Sequence, residues 1–311
     1  MRASWRPRAA LAVTDAPAAR DFRCGYVAIA GRPNVGKSTL LNRLVGQRVS
    51  ITSKKAQTTR HRVTGIVTTD DAQFVFVDTP GFQTKHRSRL NDRMNRAVTQ
   101  CLSDVEAALV VIEAGHTTDA DRAVVRLLPQ ASSALVALNK IDRLDDRDVL
   151  LPQMAELSAL FPFAAIVPVS AEKERGLDAL LKAIRALLPE SDPIFGEDEI
   201  TDRDERFLAA EFVREKIFRL LGEEVPYAAT VAIDRFEHRG ALRRIYATVH
   251  VERESQRAIL LGEGGGRMKE IASAARTDME RLFGGQVYLE VWVRVTRGWA
   301  DDDAKLKRFG Y

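Results

Sequence analysis

The sequence predicts a two-domain protein: an α/β domain with a mostly parallel sheet and helices on both faces, followed by a smaller α+β domain. Three observations predict it. Short apolar runs alternate with amphipathic stretches over 26–188, the signature of parallel strands joined by helices. The pattern breaks at Leu188-Pro189-Glu190-Ser191-Asp192-Pro193 and passes into an acidic stretch that reads as a linker. Beyond it the periodicity reads helix, strand, strand, helix, strand. A length of 311 residues lets each domain bury its own core.

The chain starts with Arg2, Arg6, Arg8 and Arg20 among alanines, with Asp15 as the one acid before residue 21. No apolar periodicity precedes Tyr26, so 1–22 reads as a disordered extension, although its composition leaves organelle import open. The buried-strand runs of the first domain, 23–189, are 26–30, 74–77, 107–112, 134–138 and 165–169. The linker is 190–205. The second domain with its tail, 206–311, opens on a helix over 207–221. There Phe207, Leu208, Phe212, Ile217, Leu220 and Leu221 share one broad face. Alternation over 228–235 and 245–252 predicts two strands, 267–283 a helix and 286–295 a third strand.

Composition narrows the class. With 45% hydrophobic and 29% charged residues and 11 prolines the chain is globular, and a net charge of +4 permits a polyanionic partner without requiring one. Cys24 and Cys101 lie too far apart in sequence to build a disulfide framework or a cysteine zinc site, which fits a cytoplasmic protein. No apolar run approaches the ~18 residues that a membrane span needs.

Four ordered motifs give the first domain its chemistry. Gly31-Arg32-Pro33-Asn34-Val35-Gly36-Lys37-Ser38, followed by Thr39, lies between the first strand and a helix carrying Leu40, Leu41 and Leu44. In that setting Gly-x-x-x-x-Gly-Lys-Ser curls its N–H groups around phosphates. Lys37 then bridges the β- and γ-phosphates and Ser38 binds Mg²⁺. Asp78-Thr79-Pro80-Gly81 ends a buried strand, so Asp78 faces Mg²⁺ and the Gly81 N–H the γ-phosphate. Asn139-Lys140-Ile141-Asp142 selects the base, because the Asp142 carboxylate accepts from guanine N1–H and N2–H₂, donors that adenine lacks in that arrangement. Ser170-Ala171-Glu172 follows the last strand, placing the Ala171 N–H near guanine O6. Between the first two motifs, Gln57-Thr58-Thr59-Arg60-His61 offers a threonine to Mg²⁺ when a γ-phosphate is present. Thr59 is favoured over Thr58. Lys37, Thr59 and Gly81 are the expected catalytic groups, and Ser38, Thr59 and Asp78 the metal ligands.

These motifs resemble the translation-factor-like GTPases, the Era family above all. The resemblance continues through Ile200-Thr201-Asp202-Arg203, 209–216 and Glu223-Glu224-Val225-Pro226-Tyr227, and covers 25–311. It implies an α/β P-loop GTPase domain joined to a type II KH domain that binds 16S rRNA near its 3′ end and assists assembly of the small (30S) subunit. Phe82 stands where Ras-like proteins carry a water-orienting glutamine, so slow turnover is expected. Asn34 stands where some relatives recruit K⁺, a second expected cofactor beside Mg²⁺.

In the second domain Gly262-Glu263-Gly264-Gly265, with Arg267 and Lys269 opening the next helix, matches the Gly-x-x-Gly loop that clamps a single-stranded backbone. Glu263 departs from the family's basic or neutral residue and should repel phosphate. Residues 201–311 hold 20 Lys/Arg and 19 Asp/Glu, so RNA affinity has to be local, with Arg294, Arg297, Lys305, Lys307 and Arg308 supplying further field. Trp292 and Trp299 read as core or base-stacking aromatics, Arg243-Arg244 as a solvated strand end, and Met268 and Met279 as core fillers. The expected partners are GTP or GDP and RNA, for a monomer. A second class of function, a peripheral-membrane switch in cell division, would leave 16S processing normal when the protein is lost.

Overall fold

The computed structural model describes residues 21–53, 55, 57–83, 88–222 and 224–311. Residues 1–20 of the expected extension lie outside the described residues. The first domain runs β1 (Arg23–Ala30), α1 (Lys37–Val45), β2 (Val63–Thr68), β3 (Ala72–Asp78), α2 (Arg89–Ser103), β4 (Ala107–Glu113), α3 (Asp119–Val125), β5 (Ser133–Asn139), α4 (Leu150–Leu160), β6 (Ala165–Pro168) and α5 (Leu177–Arg185). Its sheet has the order β2-β3-β1-β4-β5-β6, parallel throughout except for the β2–β3 pairing. Alternate residues feed two cores. Val27, Ile29, Phe74, Phe76 and Leu109 pack toward α1 and α5, whereas Ala28, Val77, Val110 and Val136 pack toward α2, α3 and α4. Both faces being covered, the central strands are continuously apolar, and this is what made them readable.

The edge strand β2 was not anticipated, because Thr64, Gly65 and Thr68 interrupt its apolar signal. The segment read as a linker is hydrogen-bonded along this sheet. Buried Gln73 accepts the N–H groups of Ile194 and Phe195 (2.8 and 2.9 Å) and donates to the Phe195 carbonyl (2.9 Å). The Ile66 N–H then meets the Ile200 carbonyl at 2.9 Å, and Thr201 Oγ1 donates to the Thr64 carbonyl at 2.6 Å.

The second domain comprises α6 (Glu205–Leu220), α7 (Glu224–Ala228), β7 (Thr230–Arg239), β8 (Leu242–Val251), α8 (Glu254–Leu261), α9 (Gly266–Phe283), β9 (Gln286–Val295) and α10 (Asp303–Arg308). The five elements read from periodicity are present. The short α7, α8 and α10 were missed, as each is too brief to show a helical period. The sheet order is β7-β8-β9, antiparallel then parallel. One face packs on α6, α8 and α9 through Phe212, Ile217, Ile245, Val249, Ile271 and the core fillers Met268 and Met279. The expected apolar face of α6 is present, with Phe207, Leu208, Phe212, Ile217, Leu220 and Leu221 all in this core; Glu211, Arg214, Glu215 and Lys216 are buried in addition, the helix lying between the two domains. Arg243 is also corrected, since it forks onto Glu205 with two 2.7 Å bonds.

Candidate functional site

The phosphate loop leaves the C-terminal end of β1 and enters α1. Gly36 has φ +104°, and an added Cβ would lie 2.2 Å from Asn139 Nδ2, so this position admits only glycine. Asn139 Nδ2 donates to the Val35 carbonyl (2.8 Å), and its Oδ1 accepts the Ala171 N–H (2.9 Å). The Ala171 amide, expected to face guanine O6, is therefore engaged in holding the base motif to the phosphate loop. Lys140 Nζ completes the tie by donating to the Asn34 carbonyl at 2.7 Å and pairing with Glu113 at 2.9 Å. Asp142 accepts from Ser170 Oγ at 2.5 Å, and that bond holds its carboxyl below the ordinary range, ionised and ready to accept further donors.

Lys37 is buried and folds back on its own loop, donating to the carbonyls of Gly31 and Arg32 at 2.9 Å each. Burial lowers its pKa to about 8, against the opposing pull of Asp78. Nearby, Asp78 Oδ2 accepts from Ser38 Oγ (2.6 Å), Ser50 Oγ (2.8 Å) and Thr59 Oγ1 (3.4 Å), and Ser38 and Thr59 hydroxyls meet at 2.8 Å. Asp78 Oδ1 is buried with no hydrogen-bond partner. Burial pushes this carboxyl up, opposed by Lys37 and the three hydroxyls. An orphaned carboxylate oxygen among hydroxyls is a hard-oxygen donor set that fits Mg²⁺. Thr58 Oγ1 instead donates to the Lys55 carbonyl (2.7 Å), so Thr59 is the threonine at the cluster. Ser50 was missed by sequence reading. No motif marks it, and Asn42, which accepts the Val49 and Ser50 N–H groups, sets its position only in the fold.

A cavity of about 900 Å³ opens over these groups. Asn34, Gly36, Lys37, Ser38, Thr39, Thr59, Gly81, Asn139, Lys140 and Ala171 form its wall together with Phe218 and Arg219 of α6; Gly31, Val35, Asp78, Asp142 and Ser170 do not line it. Phe82 packs into the core over α2, away from any water-orienting role.

Arg60 and His61, just beyond Thr59, pack against the second domain. Arg60 is 3% exposed and donates to the carbonyls of Ala229 (2.8 Å), Pro226 (3.1 Å) and Tyr227 (2.9 Å), with its guanidinium between the rings of Phe218 and Trp299. Trp299 is thus a core residue, its indole N–H donating to the Ala228 carbonyl at 2.9 Å. His61 stacks on Tyr311, and Arg48 pairs with Glu215 and Asp278. On the far side, Leu90 and Met94 of α2 share a small core with Trp299 and Leu306. The Gly-x-x-Gly loop, by contrast, is open: Gly262, Glu263, Gly264 and Lys269 are exposed. Arg267 is partly committed elsewhere, donating to the Leu220 carbonyl at 2.8 Å. Gly262 has φ +69°, and a Cβ there would lie 2.7 Å from Arg267 Cβ.

A family model described as 50S ribosome-binding GTPase matches residues 26–140, and a KH domain model matches 224–300. GTPase Era of Nitrosomonas eutropha is 56% identical over 293 residues, 94% of this chain and 99% of that protein. The chain belongs to the Era GTPase family. GTPase Era of Neisseria meningitidis serogroup A is 55% identical over 94% of this chain and 96% of its own length. Among solved structures, an Aquifex aeolicus Era variant bound to GDP·AlF₄⁻ superposes with TM-score 0.89 at 40% identity, covering 93% of this chain and 99% of that one. An Era complex with MgGDPNP and nucleotides 1506–1542 of 16S ribosomal RNA gives TM-score 0.89 at 39% identity over the same shares. As an Era-family member this chain is a GTP-hydrolysing enzyme with a P-loop domain and a smaller KH domain. No described helix is long and apolar enough to cross a membrane.

Proposed function

We propose that this chain is a GTP-driven switch that binds the single-stranded 3′ region of 16S rRNA and assists 30S assembly in the cytoplasm. The functional units are 23–189 for nucleotide and 206–311 for RNA. The observation that carries the reading is the pair Thr59-Arg60: one residue stands at the Asp78 oxygen cluster, and the next is caged by carbonyls of the KH side. A related Era complex holding MgGDPNP together with a 16S fragment supports the same pairing of ligands.

Ser38, Thr59 and Asp78 would hold Mg²⁺, which when bound neutralises phosphate charge. Lys37 exchanges its two loop carbonyls for β- and γ-phosphate oxygens, and the Gly81 N–H faces the γ-phosphate. Asp142 reads the guanine edge while Asn139 and Lys140 hold the loops together around it. Phe82 neither orients nor deprotonates water, so intrinsic turnover is slow. K⁺ at Asn34 would add positive charge, and faster hydrolysis in KCl than in NaCl is the expected sign; equal rates would refute it. The decisive experiment is crosslinking to cellular RNA with GTP or GDP bound, followed by sequencing. Enrichment of the 16S 3′ end that changes with nucleotide supports the reading, and no RNA enrichment refutes it. Replacing Gly262 and Gly265 should abolish RNA capture with GTP binding intact.

A further inference from the structure

Ser50 belongs to the Asp78 cluster without belonging to any nucleotide motif. It is 3% exposed, and its Oγ donates to Asp78 Oδ2 at 2.8 Å. Two other hydroxyls meet the same oxygen, Ser38 Oγ at 2.6 Å and Thr59 Oγ1 at 3.4 Å. The three differ in their surroundings. Ser38 and Thr59 line the cavity over the phosphate loop, where a hydroxyl can turn a lone pair toward an ion; Ser50 does not line it. Ser50 is also anchored through its backbone. Asn42 of α1 takes the Val49 and Ser50 N–H groups on Oδ1 at 3.0 and 2.9 Å, and its Nδ2 donates to the Ser50 carbonyl at 2.7 Å. Both main-chain polar groups of Ser50 are thereby tied to the helix that starts at Lys37.

A carboxylate turns broadly about its Cβ–Cγ bond unless something holds it. When a metal-binding carboxylate is free to turn, ordering it opposes binding. A donor already in place removes that opposition, and losing such a partner typically weakens metal binding about 10–100-fold. Of the three hydroxyls on Asp78, only Ser50 is both anchored and outside the cavity. We propose that Ser50 is a positioning residue for Mg²⁺: its hydroxyl pins Asp78 Oδ2, Asn42 pins Ser50, and Oδ1, which has no hydrogen-bond partner, is left for the ion. Ser50 keeps its bond to Asp78 when Ser38 and Thr59 turn toward the metal. The proposal rests on the reading that Asp78 holds Mg²⁺, and extends it to a residue that touches neither nucleotide nor ion.

The test uses the full chain loaded with a fluorescent, non-hydrolysable GTP analogue, whose release is followed over a range of free Mg²⁺ concentrations and in EDTA. Ser50→Ala should raise the Mg²⁺ concentration that half-slows release about tenfold or more, and leave the rate in EDTA within about twofold of the parent's. A role in folding alone would lower the melting temperature and leave that concentration where it was. Ser50→Thr, which keeps the hydroxyl, should return most of the Mg²⁺ dependence. Asn42→Ala, which frees the backbone at Ser50, should shift it in the same direction as Ser50→Ala, and no further when the two are combined, since both act through one hydroxyl. Should Ser50→Ala be too unstable to load, Ser50→Cys, whose thiol is only a weak donor, should show the same shift. Unchanged Mg²⁺ dependence in these Ser50 variants overturns the proposal. So does a release that quickens equally with and without Mg²⁺, which would make Ser50 a support of the nucleotide alone. If release from the parent is indifferent to Mg²⁺, or Asp78→Asn keeps the parent's Mg²⁺ dependence, it is the underlying metal reading that has failed.

Discussion

In the proposed nucleotide site, binding turns on single residues such as Lys37 and Asp142. Lys37 is held as a buried cation on two carbonyls, and its removal leaves those carbonyls and the Asp78 charge without their partner. Lys37→Ala should therefore weaken GTP binding about 100-fold or more, measured by calorimetry with Mg²⁺ present. Asp142→Ala should lose the preference of GTP over ATP as well as affinity. A parent protein that binds ATP as well as GTP would contradict the second. The positions of these residues follow from local motifs: spacing alone places Asp78 at the end of β3, and Lys37 and Asp142 just beyond β1 and β5. Ser50 and the engaged Ala171 amide were not legible, since their roles come from Asn42 and Asn139 across the fold. Thr58 and Thr59 are chemically equivalent in sequence, and only the direction of the backbone between Lys55 and Asp78 separates them.

Among elements, apolar patterning was readable and buried charge was not. Strands β1, β3, β4 and β5 announce themselves as apolar runs. Helix α6 shows its apolar face in the sequence, but nothing there marks that four of its ten buried residues are charged. There Glu211 forks onto Arg214 (2.8 and 2.5 Å), and fully buried Glu215 takes the Thr52 N–H at 3.0 Å beside Arg48. Glu215→Gln would leave Arg48 with Asp278 as its remaining carboxylate, with an expected loss of about 2 kcal/mol by denaturant titration. The elements around α6 also hold two neutral histidines, His61 half-buried and His250 buried. Burial pushes His61 down to about 4, with Arg214, Arg203 and Arg60 adding to the effect and Glu211 opposing it. Burial likewise lowers His250, which lies against Thr296 and Phe309. Both rings bind fewer protons folded than unfolded, so their contribution is whole above about pH 6.5 and is lost as pH falls through the folded values. For His61 that loss reaches up to about 3 kcal/mol between pH 6.5 and 4. Melting temperature should drop across this window, and a His61→Gln, His250→Gln double variant should show a flatter profile; an equally steep one would point to carboxylates instead.

At the scale of the whole molecule, the two domains meet through the stretch that also reaches the Asp78 cluster. Thr59 and Arg60 are neighbours in the chain, so their Cα atoms stay about 3.8 Å apart whatever the nucleotide state. Any shift of Thr59 toward a metal must therefore displace the Arg60 cage on Pro226, Tyr227 and Ala229 or strain the backbone between them. The cage is buried and holds both terminal nitrogens of the guanidinium on carbonyls, so it resists small displacements and favours two discrete arrangements over a continuum. Arg60→Ala removes the handle without touching either ligand site. It should cost about 3 kcal/mol of stability by removing the charged hydrogen bonds to the Ala229, Pro226 and Tyr227 carbonyls. It should also leave GTP affinity unchanged while the ratio of RNA affinities with GDP and with a non-hydrolysable GTP analogue collapses toward one. Arg60→Lys, which keeps the charge but not the fork, should recover part of the stability and little of the ratio. If the ratio survives in Arg60→Ala, the domains communicate by another route, and the Leu90–Met94 contact of α2 with Leu306 is the next connection to cut.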